Sequence, residues 1–274
     1  MTWRSRIIAL VAIAIGACSD HSHAGALSIP HPDSSSARVE YFIKQPQGSG
    51  PWPTVVLLHG HQNIWSRPGG LQFVQWGVLD KFAARGYLAV SVSLPGFGNS
   101  DGPRDFAGPN TQHAVSAVIA KLKQDGLAKG DKILIQGISL GAVTAALIAT
   151  QDPTIAGMVL ISGLYDFTEF LKQPTSLQTL LVKYALFSET DGSAQALRAR
   201  SALNFNESIK AAALILNGAK DDRTDPDQAI LLAERIKSQG GRATAHVFSD
   251  YGHEIPVSVR DPEIDAFITE VLAP

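Results

Sequence analysis

An α/β fold built on a mostly parallel, doubly wound sheet is what this sequence predicts, and three observations carry it. Short apolar runs at 54–58, 88–94, 132–136, 157–162, 212–216 and 244–248 read as strands, most of them continuously hydrophobic and β-branched as expected of burial on both faces. Helical stretches at 74–85, 111–125, 140–150, 227–239 and 262–272 separate them, the alternation expected of parallel β-α-β units. Gly60, Gly137, Gly163 and Gly218 fall just past the carboxyl ends of strands, the edge where open α/β sheets bind ligands. Residues 38–44 alternate more regularly and suit an antiparallel edge hairpin before the parallel part. Residues 167–208 break the alternation with helical pattern and read as a small helical cap inserted over the same edge.

Composition removes several classes of function. The chain has 274 residues, 45% hydrophobic and 18% charged, an ordinary globular balance that is neither disordered nor fibrous. Lys and Arg number 23 against 25 Asp and Glu, for a formal net charge of −2, and no basic run is interleaved with aromatics, so nucleic acid is not an expected partner. A single cysteine excludes internal disulfides and Cys-rich zinc modules.

That cysteine belongs to an expected export signal over residues 1–17. Arg4 and Arg6 precede the apolar run 7–17, which is too short to span a bilayer. Ser5 separates the two arginines, so the adjacent pair of a twin-arginine signal is missing. Cys18 follows Ile15-Gly16-Ala17 directly, a run that resembles a bacterial lipobox, and lipidation of Cys18 would anchor the domain to a membrane. The alternatives are cleavage after Ala26, giving a soluble periplasmic or secreted protein, and an unprocessed N-terminal anchor. Residues 18–37, rich in Ser, His, Pro and Ala, read as a flexible tether to a cell-envelope location.

The expected chemistry lies at the strand ends. Gly137-Ile138-Ser139-Leu140-Gly141 stands between a strand and an alanine-rich helix. A serine on such a turn needs small residues two before and two after it, because the elements nearly collide; the turn then lifts the hydroxyl above the sheet. With 24 glycines in the chain the pattern alone is weak, and its setting gives it force. The base is expected in Asp250-Tyr251-Gly252-His253-Glu254, after the last strand, which puts His253 on a loop facing Ser139. The acid is expected after 212–216: Asp221 is preferred, with Asp222 and Asp225 as alternatives. The chain order Ser, Asp, His is the one this arrangement requires. Two backbone N–H groups would hold an oxyanion, that of Leu140 and that of His61, with Gln62 as the second choice to His61. His59 reads as a packed residue fixing its loop. The pair His59 and His61 has no third ligand cluster, so no metal and no cofactor is expected.

From about residue 38 onward the chain resembles the α/β-hydrolases, through His59-Gly60, the stretch from Leu94 to Gly102, the serine turn and the late Asp and His. Gly218 through Arg223, and Arg200-Ser201 through Ile209, are similar to the catalytic domains of the prolyl oligopeptidase and dienelactone hydrolase-like group. The resemblance implies serine hydrolase chemistry with Ser139, Asp221 and His253 as triad. Three features depart from the oligopeptidase pattern: a tether where those proteins have a propeller, Gly141-Ala142 in place of two glycines, and His61-Gln62 where further glycines are common.

The function expected on these grounds is an exported serine hydrolase that cleaves carboxylic esters, with a small ester or short acyl substrate, through an acyl-enzyme. A small-peptide hydrolase, an acyltransferase and a non-catalytic surface lipoprotein are the alternatives. Gln62, Trp65, Arg223, Phe170 and Tyr184 are expected to line the pocket, with Phe167, Leu171 and Phe187 as further cap residues that could line it or pack within the cap.

Overall fold

The computed structural model describes residues 25–273, apart from 64 and 175; the expected export signal and Cys18 lie outside the described residues. The chain enters through a hairpin of β1 (Ala26–His31) and β2 (Ser34–Lys44), then β3 (Trp52–Leu58). Next come α1 (Leu71–Gln75), α2 (Val78–Ala84), β4 (Leu88–Val92), α3 (Pro109–Gln124), β5 (Ala128–Ile138), α4 (Leu140–Gln151) and β6 (Ile155–Ile161). The cap carries α5 (Phe167–Lys172), α6 (Leu177–Glu189) and α7 (Ala194–Ala199), and β7 (Ala212–Gly218), α8 (Pro226–Ser238), β8 (Ala243–Phe248) and α9 (Val257–Leu272) complete the chain.

The strands form one eight-stranded sheet in the order β1-β2-β4-β3-β5-β6-β7-β8. The β1–β2 and β2–β4 pairs are antiparallel and every later pair is parallel. The chain steps from β3 outward to β4 and then returns across β3 to β5, so the winding direction reverses beside β3. Crevices form where the order reverses, and the loops after β3 and β5 flank this one.

The two-sided burial inferred from the apolar runs has a direct cause in the pleat. Val56 and Leu58 of β3, Ile133 and Ile135 of β5, and Met158 and Leu160 of β6 join a core with α3, α4 and α8. Their neighbours Val55, Leu57, Leu134, Val159 and Ile161 join a second core with α1, α2 and α9. Successive side chains point to opposite faces, so a strand covered on both faces needs apolar residues at every position. The outermost strands β1 and β8 are half exposed, and their sequences alternate accordingly.

Several boundaries differ from expectation. The expected tether is folded from Ala26, where β1 pairs antiparallel with β2, Leu27 opposite Tyr41 and Ile29 opposite Val39. Alternate apolar residues hidden among Ser and Pro gave too weak a period to read. The helix expected over 74–85 is two helices, because Gly77 takes φ 68° between them. Helix α9 starts five residues before Pro262, which it carries inside its second turn. Proline removes one backbone hydrogen bond there but does not end the helix.

Behind the stretch Leu94 to Gly102 lies Glu40 of β2, 3% exposed. Its Oε2 accepts from Ser93 Oγ (2.7 Å) and the Asn99 amide (3.1 Å), and its Oε1 from Asn99 Nδ2 (2.6 Å). A Cβ on Gly98 would meet Glu40 Oε2 at 2.4 Å, and Gly98 has φ 56°. The glycine and the carboxylate therefore specify each other. Glu40→Ala is expected to lose about 2–3 kcal/mol by orphaning the buried Ser93 hydroxyl and releasing Asn99, read as a lower urea midpoint; an unchanged midpoint would show that the loop holds without it.

Candidate functional site

Four loops meet at the carboxyl edge of the parallel strands: after β3 (59–62), at the β5–α4 junction, after β7 and after β8. Ser139 sits at the β5–α4 junction with φ 53° and ψ −115°, a conformation costly for a residue with a side chain and found chiefly where function demands it. Its amide donates to the Ile161 carbonyl of β6 at 2.8 Å. A Cβ on Gly137 would lie 2.1 Å from the Gly141 carbonyl oxygen, and one on Gly141 would lie 2.2 Å from that of Leu58. Backbone meets backbone at both places, so neither position admits a side chain. Leu140 opens α4, and its N–H, at the helix start, has no intrahelical acceptor.

Loops from β7 and β8 bring Asp221 and His253 together. Ala219 N donates to Phe248 O and Lys220 N to Tyr251 O, each at 2.9 Å. Gly218 allows this approach, since its Cβ would meet the Gly252 carbonyl oxygen at 2.2 Å. His253 Nδ1 lies 2.9 Å from Asp221 Oδ2 and 3.1 Å from Oδ1. The side chains are 8% and 0% exposed. Asp221 also accepts from Thr224 Oγ1 (2.6 Å), the Arg223 amide (2.9 Å), the Thr224 amide (3.0 Å) and Asn217 Nδ2 (3.2 Å). Burial alone would raise the Asp221 pKa. The hydrogen bond and charge of His253, then the bonds from Thr224 and the Arg223 amide, outweigh it and hold the carboxyl below the usual carboxylate range. The carboxylate thus stays ionised and orients the ring with Nε2 left over. Ser139 and His253 line one cavity. No hydrogen bond joins them there.

Of the alternatives to Asp221, Asp225 caps α8 by accepting from the Asp227 amide, the bland role open to it from sequence. Asp222 contributes its carbonyl oxygen to Ser176 and Thr179 of the cap. Neither carboxylate bonds His253.

The cavity has a volume of about 720 Å³, in the range of small-ligand sites. Gln62, Arg223 and Tyr184 line it, as do His61 and Leu140. Phe170 does not: it is 1% exposed and packs edge-on to Phe167 inside the core. Trp65 is 89% exposed and outside the cavity, where Trp76 stands instead. Leu171 packs against the core and Phe187 is half exposed, neither lining the site. A helical period shows which cap residues share a face but not which face meets the cavity.

His59 is fully buried. Its Nδ1 bonds the Gly60 carbonyl (2.7 Å) and its Nε2 accepts from the Leu94 amide (3.1 Å), which fixes the neutral tautomer. Burial lowers its pKa from 6.5 to about 4; the Gly60 bond opposes this and nearby His61 adds to it. Among the described residues no group of three His, Cys, Asp or Glu could hold a metal ion.

Ser162 and Glu189 carried no sequence signal, and Arg200 and Ser201 only that of the family resemblance. Ser162, at the end of β6 with φ 52°, donates from Oγ to the His253 carbonyl (2.8 Å) and so pins the His loop. Arg200 donates to the Asp105 carbonyl from Nε (3.0 Å) and Nη2 (2.7 Å), and Ser201 Oγ accepts from the Phe167 amide (2.9 Å), which ties the cap down. The last residue of α6, Glu189, reaches the cavity and receives His61 Nε2 at 2.8 Å.

Residues 80–272 match the Prolyl oligopeptidase family. The chain belongs to that family. This is a family of serine hydrolases, and the turn, the late Asp and the late His fall in its order. A relative from Bacillus subtilis (strain 168), the uncharacterized peptidase YtmA, is 24% identical over 224 residues, 81% of this chain and 84% of its own. Among solved structures, a Mycobacterium tuberculosis puromycin-hydrolyzing peptidase aligns with TM-score 0.72 at 20% identity, over 91% of this chain and 40% of its own. A 2,6-dihydroxy-pseudo-oxynicotine hydrolase aligns with TM-score 0.70 at 19% identity, over 91% of this chain and 68% of its own. Both have the α/β-hydrolase fold, and this chain spans under half the length of the peptidase.

His59 makes stability depend on pH. Its folded pKa is depressed, so its contribution is complete above pH 6.5 and is lost as pH falls toward 4, by about 3 kcal/mol over the interval. His59→Gln is expected to flatten the thermal midpoint between pH 7 and 4.5 relative to wild type; parallel curves would refute the assignment.

Proposed function

We propose that this protein is a serine peptidase that cleaves short peptides through an acyl-enzyme. The observation that carries the reading is the buried Asp221–His253 pair, whose imidazole shares a cavity with a serine on a strained strand-to-helix turn. In this reading Ser139 attacks the scissile carbonyl and His253 Nε2 takes its proton. The N–H groups of Leu140 and His61 stabilise the oxyanion, each contributing about 10²–10³-fold in rate. His253 then gives the proton to the departing amine, and water repeats the cycle on the acyl-enzyme. Asp221 holds the imidazole in its tautomer and stabilises the imidazolium.

Ester cleavage, expected from sequence, needs the same machinery, and amide cleavage is favoured by family membership. Ser139→Ala is expected to abolish fluorophosphonate labelling and aminoacyl-p-nitroanilide hydrolysis, and Asp221→Asn to lower kcat by about 10³–10⁴-fold. Full labelling of Ser139→Ala would sink the reading; turnover of p-nitrophenyl esters with no anilide cleavage would return it to an esterase.

We also propose export through residues 1–17 with a lipid-bearing Cys18, supported by the basic start, apolar run and small residues before that cysteine. Mass spectrometry of the mature N-terminus is expected to find a diacylglyceryl adduct on Cys18; a chain starting at Leu27 would reject it.

A further inference from the structure

We propose that Glu189 is the docking point for a cationic nitrogen of the substrate. This rests on the peptidase reading and names its substrate class. Glu189 ends α6 and lines the cavity with Ser139 and His253, and its side chain is only 4% exposed. Oε1 is occupied: His61 Nε2 lies 2.8 Å away and Arg104 Nε 3.3 Å away. Oε2 is buried and has no hydrogen-bond partner.

A buried carboxylate oxygen without a donor is costly, and the cost is recovered when a donor arrives. An ammonium is the best such donor, because it supplies both hydrogen bonds and charge. The two partners already present crowd onto one oxygen, which fixes the plane of the carboxylate and leaves the other oxygen free to accept. Arg104 also lies over the Phe97 ring, 5.8 Å from its centroid, which holds the guanidinium on the Oε1 side. The other ionic side chains of the cavity have ionic partners of their own: Arg223 pairs with Glu254 at 2.7 Å and Arg260 with Asp261 at 3.7 Å. Glu254, the other carboxylate lining the cavity, is 74% exposed, so Glu189 is the one whose unpartnered oxygen is buried. The cationic nitrogen is either the free α-ammonium of a peptide or the side chain of a basic residue, and one set of substrates separates these.

The experiment measures kcat/KM for three p-nitroanilides, of alanine (α-ammonium only), Nα-acetyl-lysine (side-chain ammonium only) and N-acetyl-alanine (neither), with wild type and Glu189→Gln. The expected result is a loss of about 10- to 100-fold in the variant on one cationic substrate, with N-acetyl-alanine changed less than about twofold. The substrate that suffers identifies the nitrogen. Equal losses on all three would overturn the proposal and make Glu189 a strut for His61 and Arg104, and so would no selective loss at all. Fluorophosphonate labelling at the wild-type rate checks that Ser139 of the variant is intact. If no anilide is cleaved, the peptidase reading has failed, and p-nitrophenyl esters of the same three acyl groups carry the comparison unchanged.

Discussion

A wholly buried carboxylate, that of Asp221, fixes the arrangement of the site. An ionised group out of water is tolerated only when hydrogen bonds replace its hydration. Here the donors come from β7 through Asn217, from the following turn through Arg223 and Thr224, and from the loop after β8 through His253. The fold cannot satisfy this carboxylate without also orienting the imidazole. The same loops are zipped by backbone bonds made possible by Gly218, so the pairing of β7 with β8 and the pose of His253 are one structural decision.

Those parts that rest on backbone and pattern were legible in the sequence. Parallel strands covered on both faces left unbroken apolar runs, and glycine marked places where two backbones touch. The Ser139 turn could be read because geometry forbids any residue but a small one at 137 and 141. Parts that rest on distant side-chain pairing were not legible. Ser162 acts across 91 positions on the His253 carbonyl, and Glu189 across 128 on His61. Nothing local distinguishes either from an ordinary serine or glutamate. The cap aromatics failed for a related reason. Phe170 and Tyr184 look alike as large helical side chains, yet one turns into the core and the other to the cavity.

Backbone strain sits at the same edge as the chemistry. Ser139 and Ser162 end adjacent strands and both take positive φ. Each is held by a hydrogen bond from its amide to the next strand, Ser139 to Ile161 and Ser162 to Leu216. The sheet therefore enforces two unfavourable conformations side by side, one presenting a hydroxyl to the cavity and the other fastening the loop that carries the imidazole.

The contacts around Gly137, Gly141 and Gly218 separate what can drift from what cannot. The floor of the pocket is main chain pressed on main chain, so mutation has almost no vocabulary there. The roof meets the body through side chains, among them Phe167 and Phe170 in the core and the bonds of Arg200 to Asp105 and of His61 to Glu189. A lineage built on this plan would diversify its choice of substrate by rewriting the roof while the floor stays frozen.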